Sequence, residues 1–287
     1  MGSLSGDVWH AVRLLRRSPV FTAVAVLSLA LGICANTAIF TLLNAVVLRK
    51  LPVPEPNQLV QLTTTRPDNS DGDLSFPIFE QVRTHQQVFS ALVGYWGDGI
   101  FNMEAGGRLI RGDVWAVTGN FHSALGVKPY AGRLLTEADV DLEHRQPAMV
   151  AVLGYGVWQR ELGGNRAVLG QIVRVEGIPF TIVGIAPRGF TAFGISTEPD
   201  ITVPLIAEPL IIGATLQRLV TSASPWVSVI GRLKPGVTLK QARAHLQVLW
   251  PSIQSAVVPA QFTGRQRDEF FAMRLIVSSA ARGRSPD

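Results

Sequence analysis

The longest uncharged stretch of the chain constrains its fold more than any other feature. It runs for 31 residues, from Ser18 to Leu48, and basic residues bound it on both sides. A helix needs about 20 apolar residues to cross the hydrocarbon core of a membrane, whereas a cleavable signal peptide has an apolar region of roughly 7–15 residues. Soluble cores rarely hold so long a stretch without a charge. The stretch therefore predicts a retained transmembrane helix over residues 20–47.

The basic residues on the two sides of this stretch indicate its orientation. Arg13, Arg16 and Arg17 precede it, and Arg49 and Lys50 follow it. Lys and Arg residues close to a span favour the cytoplasmic side of a membrane. The excess of three over two predicts a cytoplasmic N-terminus and places the rest of the chain on the outer side.

The first 19 residues form a leader with an amphipathic pattern. Trp9 falls on an apolar helical face, and Arg13, Arg16 and Arg17 lie toward the other face. A basic amphipathic helix with a tryptophan is typical of the cytoplasmic headgroup region. We therefore expect residues 1–19 to lie at the cytoplasmic membrane surface, although a solvated leader explains the pattern equally well.

Small and polar residues recur along one face of the predicted span. Ala30, Cys34, Thr37, Thr41 and Asn44 are spaced by four, three, four and three residues, which is the spacing of one helical face. Such a face allows a second helix to approach closely and to hydrogen-bond in lipid. The face therefore predicts helix packing, with simple hydration near the headgroups as the alternative. No later window holds 18 consecutive apolar residues, so a partner helix would come from another chain or from a missing part of this one.

The chain after the span alternates short strands and short helices. The sequence LVQLTTT at 59–65 is strand-like, and residues 171–187 have the pattern of a β-hairpin. Thr238 and Gln241 form a capping box in front of a helix with one apolar face. Because the order of these elements shows no regular βα repeat, the sequence predicts an α+β domain.

The residue types and spacings give no positive support for enzymatic activity. The five histidines are far apart and lack the spacing of metal ligands, and the sequence contains neither a P-loop nor a nucleophile elbow. The net charge is +5, but the sequence has no run of basic residues interleaved with aromatic ones. We expect no catalytic, cofactor or metal site and no nucleic-acid partner.

Several segments together resemble one known family. They include RRSPVFTAVAVLSLALGICANTAIFTLLNAVVLRKLP, then VTGNFHSALGVKPYAGRLLTEADV, and then VLGQIVRVEGIPFTIVGIAPRGF, in that order. The resemblance is to MacB/FtsX-type ABC transporter permeases, particularly the acidobacterial predicted-permease group, and it covers roughly residues 7–255. It implies that residues 51–255 form a MacB-like periplasmic core domain of two mixed α/β lobes. Residues 256–287 would then be a tail that leads toward an absent second membrane helix.

The resemblance also implies a function and a set of partners. Permeases of this type usually have one span before the periplasmic domain and three after it, so this chain would be truncated before its C-terminal membrane helices. Located in the bacterial inner membrane, it would couple ATP hydrolysis by an ABC-type ATPase to conformational change in the periplasm, for efflux or signalling. Its partners would be membrane lipid, the ATPase, and a second permease copy or the missing permease half. Trp9 and the three leader arginines would face the membrane surface or the ATPase. The alternative is a single-pass membrane-anchored binding or sensor module.

Overall fold

The computed structural model describes residues 19–47, 53–141, 144, 146–192, 198–217, 219 and 224–281. The chain divides into two compact units, Met1–Arg49 and Lys50–Asp287. In the first unit, the described residues form a single helix, α1 (Pro19–Val47), which begins one residue before the predicted helix and ends with it. Among the helices of the described residues, none combines the length and the apolarity that crossing a membrane requires.

The second unit mixes strands with short helices, which confirms the predicted mixture. Its strands are β1 (Leu59–Thr65), β2 (Asp71–Gly72), β3 (Phe89–Ala105), β4 (Arg108–Val117), β5 (Ala131–Gly132), β6 (Val140–Asp141), β7 (Gln146–Pro147), β8 (Val150–Leu153), β9 (Ile172–Val175), β10 (Ile178–Ile185), β11 (Ile201–Pro204), β12 (Ser228–Leu233) and β13 (Arg274–Ser279). Its helices are α2 (Phe76–His85), α3 (Phe121–Ala124), α4 (Tyr155–Glu161), α5 (Glu208–Ile211), α6 (Leu239–Val257) and α7 (Arg265–Ala272). The predicted strand at 59–65 and the predicted hairpin, formed by β9 and β10, are confirmed.

One eleven-stranded sheet organises the second unit, and its main path is β13-β1-β12-β3-β4-β11-β8-β10-β5. The long strand β3 belongs to both halves of this sheet, and its pairing with β4 is interrupted between Trp96 and Gly99. Before the interruption β3 pairs with β12 and, at Tyr95 and Trp96, with β4; after it β3 pairs with both β4 and β9. This single strand therefore connects two differently built parts of the domain.

The part after the interruption closes on itself. β3 pairs with β4, β4 with β11, β11 with β8, β8 with β10, β10 with β9, and β9 again with β3. These six strands form a ring whose interior holds buried apolar side chains, including Met103, Val114, Val173 and Phe180. Closure satisfies the backbone groups that an open sheet would leave at its edges.

The other part carries helix α6 on a four-stranded surface of β13, β1, β12 and the first half of β3. Helix α6 begins with the predicted capping box. The backbone N–H of Gln241 donates to the Thr238 hydroxyl, and the side-chain oxygen of Gln241 accepts from the backbone N–H of Thr238. Its residues Ala242, Leu246 and Ile253 are buried, so its apolar face lies on the sheet as the spacing predicts. The helix continues through Pro251 to Val257.

The predicted domain boundary at residue 255 is corrected by the structure. The described residues after α6, 258–281, include α7 and β13 rather than forming a tail, and β13 pairs with β1 from Val60 to Thr65. The side-chain amide of Gln254 donates to the Phe270 carbonyl over 2.7 Å, which joins α6 to α7. Because β13 is only six residues long and pairs with a strand about 200 positions earlier, no local pattern indicated it.

Candidate functional site

The chain enters and leaves the second unit at one place. Strand β1 begins at Leu59 and β13 ends at Ser279, and the two strands run antiparallel with Val60 opposite Ser279. One residue further on, the Ala280 amide donates to the Leu59 carbonyl over 2.9 Å. Segments that precede β1 and follow β13 can therefore act on the same pair of strands.

Arg232 fixes the incoming segment, residues 53–58, to the sheet. Its Nη1 donates to the carbonyl of Pro54 over 2.8 Å and to that of Glu55 over 3.3 Å. Its Nε donates to the carbonyl of Ala124 at the end of α3 over 2.9 Å. An arginine side chain presents its donors in a rigid planar fork, so it can hold these carbonyls at fixed positions.

The position of Arg232 in the sheet connects the incoming segment to the rest of the domain. On β12 it lies opposite Leu59 of β1 on one side and opposite Ala91 of β3 on the other. Burial lowers the pKa of the Arg232 guanidinium, while the nearby Glu55 carboxylate raises it. Arginine stays protonated in proteins, so the partly buried guanidinium of Arg232 keeps its charge. The backbone carbonyl oxygens that accept its hydrogen bonds offset the cost of this burial.

The incoming segment has a conformation that matches this attachment. Glu55 has a φ of 47°, a left-handed conformation that is uncommon for residues other than glycine. Pro54 packs against Gly126, where an added Cβ would lie 2.9 Å from Cγ of Pro54. Gly126 itself has a φ of +70°, so a larger residue would be strained there in two ways. We call the contacts of Arg232 with residues 53–58 and with α3 the Arg232 junction.

A buried histidine lies beside this junction on α3. His122 is 1% exposed, and neither of its ring nitrogens has a hydrogen-bond partner among the described residues. Its ring lies 5.2 Å from that of Phe121 and 5.5 Å from that of Phe190, measured between centroids. Burial lowers the pKa of His122 to about 4, so the side chain is neutral at neutral pH.

The residues that the sequence singled out lie in the first unit. Ala30, Cys34 and Thr37 are exposed on α1, and the Thr37 hydroxyl donates to the Ile33 carbonyl of the same helix over 2.7 Å. The side chains of Thr41 and Asn44 lie outside the described residues, and so do Trp9, Arg13, Arg16 and Arg17. The packing face and the leader contacts therefore stay predictions.

Sequence reasoning did not identify the Arg232 junction. Its only local signal is a charged residue inside the apolar strand pattern WVSVIGRLK. The three carbonyls that accept from Arg232 come from segments more than 100 positions earlier in the chain. No group of three or more potential metal ligands occurs among the described residues.

Comparison with known proteins identifies relatives of the chain. Residues 22–249 match the family described as MacB-like periplasmic core domain. Among solved structures, the periplasmic region of MacB from Actinobacillus actinomycetemcomitans is similar, with a TM-score of 0.55 and 14% sequence identity over 78% of this chain and 90% of that chain. A domain of a Porphyromonas gingivalis protein assigned as a permease is similar with a TM-score of 0.57 and 17% identity, over 83% of this chain and 96% of that chain. At these identities the likeness shows the fold alone. A search among curated proteins finds no match.

Proposed function

Since the chain belongs to the family of MacB-like periplasmic core domains, we propose that it is a membrane permease subunit of a MacB/FtsX-like ABC transporter. In this proposal α1 crosses the bacterial inner membrane with its N-terminus in the cytoplasm, and the second unit lies in the periplasm. A partner ATPase hydrolyses ATP, and the resulting motion reaches the periplasmic unit for export or signalling. In this proposal the partner ATPase, rather than this chain, supplies the site of ATP hydrolysis.

None of the described helices meets the combined requirement of length and apolarity for a span, so the proposed place of α1 rests on its length, its uncharged sequence and its exposed apolar side chains. The helix has 29 residues, and the surrounding sequence from Ser18 to Leu48 carries no formal charge. At about 1.5 Å per residue it is about 44 Å long, against about 30 Å for a hydrocarbon core. Its large apolar side chains are exposed within the chain, with Val20 at 77%, Phe21 at 71% and Leu31 at 74%. Lipid contact would remove this apolar surface from water.

The proposed coupling role is supported by one observation. Arg232 attaches the incoming segment, residues 53–58, to the sheet where β1 begins beside the end of β13. A displacement of residues 53–58 is opposed by the hydrogen bonds of Arg232 and so reaches β12. From β12 it passes to β3, which belongs to both the helix-covered part and the ring.

The proposed partners are membrane lipid, an ABC-type ATPase, and a second permease copy or the missing permease half. A direct test is co-expression of the full chain with the ABC-type ATPases of its own genome, followed by purification into lipid nanodiscs. We expect one ATPase to co-purify and its rate of ATP hydrolysis to change when the chain is present. Replacing Arg13, Arg16 and Arg17 together by Gln should weaken this association, since these residues are predicted to lie on the cytoplasmic side.

A matched control for that triple variant is Arg108→Gln, which changes an exposed arginine of the ring. It should leave the association unchanged because Arg108 belongs to the proposed periplasmic unit. If no ATPase associates with the chain and its stability is unaffected by ATPase co-expression, the permease proposal is wrong. The single-pass binding or sensor module would then be the better description.

A further inference from the structure

His122 is a deeply buried polar side chain on α3. It is 1% exposed, and both of its ring nitrogens lack a hydrogen-bond partner among the described residues. A neutral imidazole has one donor and one acceptor, and leaving both unpaired in the interior costs free energy. Folded proteins pair nearly all of their buried polar groups, so an unpaired one calls for a reason. The permease proposal assigns His122 no role.

The ring of His122 lies in aromatic and apolar surroundings. It packs against Phe121 of its own helix and against Phe190 of the segment after β10. The charged or titratable groups on the elements around α3 include Glu55, Tyr95, Asp113, Glu137, Arg188 and Arg232. Burial lowers the pKa of His122, and none of these groups contributes to that shift. A protonated imidazole at this position would therefore be a buried charge without an anionic partner among them.

The backbone of His122 closes the turn that ends α3. Its carbonyl accepts from the backbone N–H of Leu125 over 3.2 Å and from that of Val127 over 3.0 Å. Helix α3 has only four residues, so its conformation depends on these few hydrogen bonds and on the packing of its two buried rings. A displacement of the His122 ring would therefore disturb the whole turn.

The same turn forms one side of the Arg232 junction. The carbonyl of Ala124, two residues after His122, accepts from Nε of Arg232 over 2.9 Å. Gly126 follows in the turn and packs against Pro54 of the incoming segment. A movement of this turn removes an acceptor from Arg232 and also shifts the surface on which Pro54 lies.

The geometry points to an acid-sensitive switch, in which protonation of His122 displaces its ring, moves the Ala124 carbonyl and releases residues 53–58 from the Arg232 junction. The neutral ring keeps the junction closed at neutral pH. The unpaired nitrogens are what make the switch respond to acid, because a histidine with an acceptor in the closed state would keep both its proton and its place. The switch is a property of the fold, and only its consequence for coupling rests on the proposed function.

The size of the expected effect follows from proton linkage. The pKa of His122 is about 4 in the closed state and 6.5 for an unperturbed histidine, so the released state binds the proton more tightly. The closed state is fully favoured above pH 6.5, and its advantage falls as the pH drops toward 4. Between pH 7.5 and pH 5 the equilibrium constant for release should rise about 30-fold.

The test is amide hydrogen exchange of the full chain in lipid nanodiscs without an ATPase, read by mass spectrometry at pH 7.5 and pH 5. Each rate is compared with the intrinsic rate of the same peptide at that pH. We expect the protection of residues 53–58 and 121–127 to fall about 30-fold at pH 5. His122→Leu and His122→Gln stay neutral at both pH values and should abolish this fall. His85→Leu, which changes an exposed histidine of α2, should preserve it.

Arg232→Met separates the two steps of the switch. In this variant residues 53–58 should exchange rapidly at both pH values, while residues 121–127 keep their response to acid. Strands β9 and β10 report whether each protein is folded, so that either His122 variant suffices if the other does not fold. Protection of residues 53–58 that is the same at both pH values in the wild type, or an acid response that survives in a folded His122 variant, would overturn the proposal. So would equal protection of residues 121–127 and of β9 and β10, since acid would then act by unfolding the whole unit.

Discussion

Acid should destabilise the second unit through His122, because the described residues offer no hydrogen-bond partner for a charged imidazole at this position. The pKa of His122 is about 4 in the fold against 6.5 for an unperturbed histidine. The unfolded chain therefore binds the proton first, and folding stability falls as the pH drops from 6.5 to 4. The free energy of unfolding falls by about 2 kcal/mol at pH 5, and the decrease approaches about 3 kcal/mol below pH 4. Above pH 6.5 the contribution of His122 to this pH dependence vanishes.

The measurement is urea unfolding of the full chain in detergent micelles at several pH values between 7.5 and 4.5. Tryptophan fluorescence is a suitable signal because the Trp115 ring lies 6.4 Å from that of Phe121, the neighbour of His122. Carboxylates also titrate in this range. The quantity to compare is therefore the difference in the free energy of unfolding between the wild type and His122→Leu at each pH. That difference should move in favour of the variant by about 2 kcal/mol between pH 7.5 and pH 5.

His85→Leu is the matched control, since His85 is exposed on α2 and its ring makes one hydrogen bond to the Gln81 carbonyl. This variant should keep the pH dependence of the wild type. A difference between the wild type and His122→Leu that stays constant from pH 7.5 to 5 would refute the reasoning. It would mean that the fold accepts a protonated His122, for example by admitting water to the ring.

Three further predictions concern the junction, the topology and the first helix. Arg232→Met should raise amide hydrogen exchange in residues 53–58, whereas Arg108→Met should not; unchanged exchange in both would contradict the assigned role of the junction. Reporter fusions after residue 100 should be active only on the periplasmic side, and cytoplasmic activity would invert the predicted orientation. Leucine at both Thr37 and Asn44 should weaken helix association by about 0.6 kcal/mol for each lost hydrogen bond, measured by energy transfer in vesicles. Phe40→Leu should have little effect, and equal losses from both sets would identify the polar face as hydration.

The elements that the sequence predicted are those with a strong local pattern. The long uncharged stretch places α1, the alternation at 59–65 places β1, and the capping box of Thr238 and Gln241 places the start of α6. Each of these signals lies within a few residues of the structure it produces. The periodicity of side chains along one element is set by the geometry of that element, so it is readable without the rest of the fold.

The tertiary structure alone decided how those elements join. The ring closes only because β9 pairs with β3 as well as β10, and β13 belongs to the domain only because it pairs with β1. The Arg232 junction likewise brings together residues from distant segments. Strand pairing depends on which surfaces remain available once the other strands are in place, and a side chain such as Arg232 finds its acceptors only after that assembly. The sequence by itself therefore determined the individual elements and the fold class, while long-range pairing created the Arg232 junction.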